Sequence, residues 1–181
     1  MSGRLWSDNV LLLMVDWQEK LFPAMPEGLR DAALARAGLL RWLAGELGLP
    51  VLFTEQYPKG LGPTLAALNP VNPIEKLSFS AMGEPNVSHI LAQPGGRRQI
   101  LLTGMETHIC VAQTAVDLRA HGYDVRVIAD AVLSRRKLDW KTGLTRMEAA
   151  GALSMTAEAV AFELVERAGS PLFKELSRRV R

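Results

Sequence analysis

The chain has 181 residues, of which 48% are hydrophobic and 22% are charged. This composition is ordinary for a folded globular protein and excludes wholesale disorder. The formal net charge of +2 is too small to indicate a nucleic-acid-binding protein. The length suits a single domain spanning residues 1–181. The chain contains one cysteine, which excludes an intramolecular disulfide framework.

The amino-terminal residues lack the charged and then apolar organisation of a secretory signal, and no apolar run approaches membrane-spanning length. Basic residues are scattered, except in two short runs at 135–137 and 178–181, which are typical of solvated surface. The sequence therefore predicts a cytoplasmic protein whose partners include neither a nucleic acid nor a membrane.

The first half of the chain alternates apolar runs with helical sequence. Val10–Val15 is a continuous apolar run closed by Asp16, as expected of a strand that is covered on both faces. Glu27–Leu47 predicts a helix with one apolar side, and Val51–Thr54 predicts a second strand. Residues 55–72 contain several turn signals. A loop of this length in a compact domain is typically functional or contains a short helix, for which Thr64–Leu68 is a candidate.

The second half continues the same alternation. Three more strands are predicted, at Ile74–Leu77, Ile100–Leu102 and Tyr123–Ile128. The second of them is expected to end at Thr103-Gly104. Ala152–Thr156 is a candidate for a short last strand. Helices are predicted at Asn86–Ala92, after Glu106, at Thr142–Ala150, at Ala157–Ala168 and from Pro171. This order predicts an α/β fold, namely a Rossmann-like three-layer α/β/α sandwich with a central, mostly parallel sheet of five or six strands.

Cys110 lies where the strand at Ile100–Leu102 passes into a helix. The first turn of a helix carries unpaired N–H groups and a positive dipole end, which favour thiolate over thiol. The position therefore suits a nucleophile. A lone cysteine is also often a small buried residue, and from its position alone both interpretations stay open.

Three ionisable residues stand at or just beyond the carboxyl ends of predicted strands: Asp16, Lys76 and Cys110. Open α/β sheets bind ligands at this edge, so the three side chains could meet there. In such a set a thiolate attacks a carbonyl carbon, an ammonium stabilises the thiolate, and a carboxylate moves the proton. Because any α/β domain has charged residues at strand ends, spacing alone does not decide this assignment.

Three segments resemble motifs of the isochorismatase-like cysteine hydrolases, in the same order and at fitting spacing. LLLMVDWQEKLF resembles their first strand, which ends in Asp-x-Gln, and EKLSFSAM resembles their lysine segment. TGMETHICVAQTAVDL resembles their nucleophile segment. The resemblance spans nearly the whole chain. The patterns MET-x-x-CV and TEQYPKGLG are most similar to the isochorismatase-domain-containing proteins of unknown substrate.

The resemblance implies a catalytic triad in which Asp16 is general base and acid, Lys76 stabilises the thiolate and the transition state, and Cys110 is the nucleophile. It also implies an oxyanion hole made by the backbone N–H groups of Glu106 and Cys110, shaped by a non-proline cis peptide at Met105–Glu106. Relatives are commonly homo-oligomers, which suggests a homo-oligomer here.

This chain differs from two groups of the superfamily, and each difference restricts the reaction that we expect it to catalyse. Nicotinamidases bind a divalent metal through an Asp-x-His and a further histidine after the second strand. In this chain Glu55-Gln56-Tyr57 takes the place of the Asp-x-His, and no histidine occurs as far as Leu77. We therefore predict no metal and no cofactor. Relatives that cleave isochorismate lack the cysteine, because a vinyl ether needs no acyl-enzyme. Cys110 thus favours hydrolysis of an amide or another carbon–nitrogen bond of a small molecule through a thioester.

Several loop side chains are candidates for the walls of the substrate pocket: Gln18, Phe22, Tyr57 and Phe79. Gln18 is also a candidate for orienting the loop that contains Asp16. Phe22 is equally compatible with the core. His108 is two positions before Cys110, so on a helix the two side chains diverge, and packing is expected for His108 rather than a Cys-His dyad. The alternative to an enzyme is a binding or scaffold protein that keeps this fold without useful turnover.

Overall fold

A parallel sheet forms the middle of the protein. The structure is a computed structural model that describes residues 3–93 and 95–181. Within these residues, the strands are β1 Val10–Val15, β2 Val51–Gln56, β3 Ile74–Lys76, β4 Gln99–Met105, β5 Asp124–Leu133 and β6 Leu153–Met155. They form one six-stranded sheet in the order β3-β2-β1-β4-β5-β6, and all neighbours pair in parallel. The predicted α/β class is confirmed.

Helices cover both faces of the sheet. They are α1 Glu27–Leu47, α2 Pro58–Leu61, α3 Pro85–Leu91, α4 Ala112–Ala120, α5 Lys137–Ala149, α6 Ala157–Val165 and α7 Pro171–Arg179. Because successive side chains of a strand point to opposite faces, the continuous apolar run of β1 serves two cores. Val10, Leu12 and Met14 pack with residues of α1 and α6. Leu11, Leu13 and Val15 pack with residues of α3, α4 and α5.

The strand predicted at Ile100–Leu102 does not end at Thr103-Gly104, because β4 continues to Met105. Gly104 has a φ of 140°, and a Cβ built on it would lie 2.1 Å from the carbonyl oxygen of Val15. Glycine at this position therefore allows β4 to lie close against the end of β1 and does not mark a turn.

The strand predicted at Tyr123–Ile128 is also longer than expected. The register of β5 against β4 shifts between Leu102 and Gly104, which pair with Val127 and Val132, and β5 then runs on to Leu133. Helix α5 begins at Lys137, five residues before the predicted start at Thr142. The long β5 thereby brings the segment after Leu133 to the edge where β4 ends.

Residues 55–72 contain short elements and not a featureless loop. Helix α2 is followed by a 3-10 turn at Ala66–Leu68, and Gln18 pairs with Thr64 in an isolated antiparallel bridge. Glu55 Oε1 accepts hydrogen bonds from the backbone N and from the Oγ1 of Thr64, each at 2.7 Å. These contacts hold the loop against the carboxyl end of the sheet. In the part of the chain that the structure describes, no helix has the length and apolar character needed to span a bilayer.

Candidate active site

Asp16 is the first residue after β1, and its side chain is fully buried. Its φ is 53°, in the left-handed region that residues other than glycine seldom adopt, and such conformations are frequent at functional sites. Thr54 Oγ1 donates a hydrogen bond to Asp16 Oδ1 at 2.8 Å. The other carboxylate oxygen, Oδ2, lies 2.7 Å from Lys76 Nζ, and both side chains are 0% exposed.

Lys76 is the last residue of β3, and its ammonium group is held from several sides. Nζ donates to Gln56 Oε1 at 2.7 Å and to the carbonyl oxygens of Ser78 at 3.2 Å and Phe79 at 3.0 Å. Within the described residues, Asp16 Oδ2 accepts no well-directed hydrogen bond, so its 2.7 Å contact with Nζ is mainly a charge–charge attraction. Oδ2 therefore keeps lone-pair capacity for a proton.

Cys110 lies in a short π-helical turn, Thr107–Val111, that joins β4 to α4. The residue is 7% exposed. Its thiol is within hydrogen-bonding reach of both the Asp16 carboxylate and the Lys76 ammonium. The ends of β1, β3 and β4 thus place these three side chains together at one edge of the sheet.

The protonation state of Cys110 differs from the sequence-based expectation. Burial raises the pKa of the thiol to about 12, the Asp16 charge raises it as well, and Lys76 opposes both. A rise from 9.0 to about 12 corresponds to roughly 4 kcal/mol, whereas a helix dipole contributes about 0.3–1 kcal/mol. The direction of this shift opposes the expectation that the helix start favours a thiolate, because burial beside Asp16 favours the thiol form of Cys110. Burial also raises the pKa of Asp16, against the lowering effect of Lys76.

The turn before Cys110 presents a free backbone donor. The peptide bond between Met105 and Glu106 is cis. Across residues 3–93 and 95–181, the backbone N–H of Glu106 donates to no acceptor. The carbonyl oxygen of Glu106 accepts from Ile109 N at 3.0 Å and from Val111 N at 3.3 Å, which closes the turn. The Glu106 N–H is therefore available to a bound group, and the Cys110 N–H lies in the same π-helical turn.

Gln18, predicted as a pocket wall, is fully buried and bonded to backbone. Its Nε2 donates to the carbonyl oxygens of Gln56 at 3.0 Å and Gly62 at 2.7 Å, and its Oε1 accepts from Gln56 N at 2.8 Å. The side chain therefore ties the segment after β1 to β2 and to the following loop. This corrects its assignment as a pocket wall, because its polar atoms are already used.

The other three pocket candidates fall into two groups. Phe22 packs at the edge of the core, where its ring centroid is 6.4 Å from that of Trp17. The Arg30 guanidinium lies over the Phe22 ring, 5.9 Å from the ring centroid. Tyr57 and Phe79 are 53% and 54% exposed, on the loops that follow β2 and β3. The Phe79 carbonyl accepts a hydrogen bond from Lys76 Nζ, so the backbone of Phe79 lies close to the Asp16–Lys76 ion pair. Phe79 therefore stays a pocket candidate together with Tyr57.

Sequence reasoning did not identify three residues that hold this arrangement. Thr54 binds Asp16, and Gln56 binds Lys76, but only the register of β2 with its neighbours reveals either contact. Thr114 accepts a hydrogen bond from Ala81 N at 2.9 Å and so ties the loop after β3 to α4. No local sequence signal distinguishes these residues from ordinary strand and helix positions.

The Glu84 carboxylate stabilises the loop that carries Phe79. Glu84 Oε1 accepts from Ser78 Oγ at 2.5 Å, from Ser78 N at 3.2 Å and from Leu77 N at 3.1 Å. The hydrogen bond from the Ser78 hydroxyl is the main cause that lowers the pKa of Glu84. This carboxylate therefore holds the backbone whose carbonyl groups bind Lys76.

Two other features lie outside this arrangement. An apolar cavity of about 630 Å³ lies at the carboxyl end of β5, between the amino ends of α1, α5 and α6, and none of Asp16, Lys76 and Cys110 lines it. His108 Nδ1 is 3.0 Å from Ser134 Oγ, as expected of a packing residue. Among the described side chains, no three His, Cys, Asp or Glu residues are grouped so that they could hold a metal ion.

Comparison with known proteins gives a consistent set of relatives. A family model for the isochorismatase domain matches residues 10–159. Isochorismatase domain-containing protein 2 of Danio rerio is 38% identical over 178 residues, covering 97% of this chain and 89% of the relative. The structure of MAR1 ribonuclease from Caenorhabditis elegans has a TM-score of 0.89 at 35% identity, covering 98% and 92% of the two chains. The YcaC gene product of Escherichia coli, described as an octameric hydrolase of unknown specificity, has a TM-score of 0.90 at 26% identity, covering 99% and 91%.

Proposed function

Because the chain belongs to the isochorismatase family, we propose that it is a metal-independent cysteine hydrolase. It would cleave a carbon–nitrogen, amide-like bond of a small molecule through a thioester on Cys110. The observation that carries this proposal is the buried Asp16–Lys76 ion pair, 2.7 Å apart, within reach of the thiol. A buried ion pair is a poor source of stability because both charges lose their hydration, so its position beside a nucleophile argues for chemistry.

Acylation would begin from the resting thiol. As the sulfur attacks the carbonyl carbon, Asp16 Oδ2 takes the thiol proton, and the Lys76 ammonium stabilises the negative charge on sulfur. The carbonyl oxygen becomes an oxyanion and accepts hydrogen bonds from the backbone N–H groups of Glu106 and Cys110. Because the thiol pKa is raised, proton transfer to Asp16 has to accompany the attack.

Hydrolysis then returns the groups to their starting state. The tetrahedral intermediate collapses as the carbon–nitrogen bond breaks, and protonated Asp16 delivers its proton to the leaving amine. Water next loses a proton to Asp16 and attacks the thioester carbonyl. The carbon–sulfur bond breaks, the acid product leaves, and the proton returns to the sulfur of Cys110.

The donor set at the end of β2 supports a reaction without a metal. Glu55 occupies the position where metal-binding relatives carry their first ligand, but its Oε1 already accepts two hydrogen bonds from Thr64. The Oε1 of the next residue, Gln56, is bound by Lys76 Nζ. Because these oxygen atoms already accept hydrogen bonds within the protein, we assign a structural role to both side chains.

The test of this function is ammonia release from a panel of small primary amides by the purified full-length chain. Saturable release from at least one amide supports the proposal. The scaffold alternative predicts no turnover of any panel member. RNA is a second substrate to assay, because one structural relative is described as a ribonuclease. Cys110-dependent RNA cleavage without amide hydrolysis would replace the proposed substrate class.

The raised thiol pKa predicts the pH dependence of Cys110 alkylation by iodoacetamide. The rate follows the thiolate fraction, so it should be lower near pH 7 than that of free cysteine and rise about tenfold per pH unit, without a plateau up to about pH 10. The urea-unfolded chain is the control, since its exposed thiol should level off near pH 9. A plateau at neutral pH in the folded protein would show a preformed thiolate and contradict proton transfer during attack.

We also propose that the protein is a homo-oligomer, which is supported by the octameric state described for its structural relative YcaC. Sedimentation velocity of the full chain should then give a species heavier than the 19.8 kDa protomer. A single species of protomer mass at micromolar concentration would contradict this.

A further inference from the structure

Glu106 brings a carboxylate into the turn that would hold the oxyanion. Its side chain is 6% exposed, and its own backbone N–H is the free donor described above. A buried negative charge this close to a developing oxyanion would raise the energy of the transition state, because charges interact strongly where water is excluded. The turn therefore needs a compensating positive charge.

Arg135 supplies that charge from the segment after β5. Its Nε donates to Glu106 Oε2 at 2.9 Å, and its backbone N donates to the same oxygen at 3.2 Å. We propose that Arg135 is a positioning residue for acyl transfer, which neutralises the Glu106 carboxylate so that the N–H groups of Glu106 and Cys110 can stabilise the oxyanion. This inference rests on the proposed function, since it assumes an acyl-transfer oxyanion at this turn.

Other contacts hold the same turn without adding charge. Ser134 Oγ lies 3.0 Å from His108 Nδ1. Gly143 of α5 packs so closely on the turn that a Cβ at this position would lie 2.9 Å from the backbone N and Cα of His108. The backbone would therefore keep its place when only the Arg135 side chain is changed. The guanidinium supplies the charge, and its substitution isolates the electrostatic effect.

The test compares two reactions of Cys110 in the full-length protein. With p-nitrophenyl acetate, the sulfur adds to the carbonyl carbon, an oxyanion forms, and p-nitrophenolate leaves as the acetyl thioester is made. With iodoacetamide, the sulfur displaces iodide and no oxyanion forms. Arg135→Gln should slow acetylation about tenfold while leaving alkylation within about twofold of the wild-type rate.

The control is Arg136→Gln, which removes an exposed neighbouring arginine and should change neither rate. Adding Glu106→Gln to Arg135→Gln should restore most of the lost acetylation rate, because the unpaired carboxylate is then gone. A merely structural role for the ion pair predicts instead that Arg135→Gln slows alkylation together with acetylation. Arg135→Lys keeps the positive charge and should lie between the wild type and Arg135→Gln.

The proposal is overturned if Arg135→Gln leaves acetylation unchanged, slows both reactions equally, or is not rescued by Glu106→Gln. A wild-type protein that is alkylated but never acetylated at Cys110 would contradict the proposed thioester chemistry instead. Amide hydrogen exchange then tests the Arg135 contact itself. Unchanged exchange across residues 106–111 in Arg135→Gln supports the electrostatic role, and faster exchange, which would show that the turn has loosened, overturns it.

Discussion

Cys110→Ala is expected to reduce hydrolysis of any accepted amide by at least about a thousandfold, because the variant has no nucleophile to form the thioester. Its free energy of unfolding should change by only about 1 kcal/mol, since the substitution removes one sulfur from a buried site. Cys110→Ser is the matched variant: it keeps the size of the side chain but has a hydroxyl that is far harder to deprotonate. Steady-state rates and urea unfolding of the three proteins give the comparison.

Cysteine-independent turnover would change the reaction class. If Cys110→Ala kept a rate within about tenfold of the wild type, no thioester would lie on the reaction path. The pattern would then match the isochorismate-cleaving members of the superfamily, which use no cysteine. A vinyl ether would replace the amide as the expected substrate, and the proposed roles of Asp16 and Lys76 would need revision.

Lys76→Met is expected to destabilise the protein by about 3–5 kcal/mol near neutral pH, because it leaves the Asp16 carboxylate buried without its cation. The loss should shrink as the pH falls. Burial already raises the pKa of Asp16, and removing Lys76 raises it further above the unfolded value. The folded variant then binds a proton more readily than the unfolded chain, so its stability is greatest at low pH and falls as the pH rises.

Urea unfolding at about pH 5 and pH 8 measures this difference. Lys59→Met, which removes an exposed lysine, should leave stability unchanged. Combining Lys76→Met with Asp16→Asn should recover much of the loss, since the uncompensated charge disappears. A pH-independent cost below about 1 kcal/mol for Lys76→Met would show that the pair is not ionised in the folded protein.

The sequence was sufficient to predict the edge of the sheet where the site lies. The apolar run of β1 is long enough to mark a strand without ambiguity, so Asp16 could be placed at its carboxyl end. The alternation of strands and helices then fixes a parallel sheet, whose carboxyl ends meet at one edge. The positions of Lys76 and Cys110 follow from the same argument.

Features that depend on register, burial or loop direction could not be predicted from the sequence. Thr54 reaches Asp16 only because it pairs with Val15 in the sheet. The raised pKa of Cys110 depends on how completely the π-helical turn buries the thiol beside Asp16. The contact of Arg135 with Glu106, 29 residues apart in the sequence, exists because β5 is longer and less regular than its apolar run indicates.

The central claim is that Cys110 carries the acyl group during turnover. Intact-protein mass spectrometry of samples quenched with acid during hydrolysis tests it most directly. The account predicts a mass increase equal to the acyl part of the amide, located on Cys110 by peptide mapping and absent from Cys110→Ala. Sustained turnover with no adduct on Cys110, under conditions that preserve an authentic acetyl thioester on that residue, would contradict it.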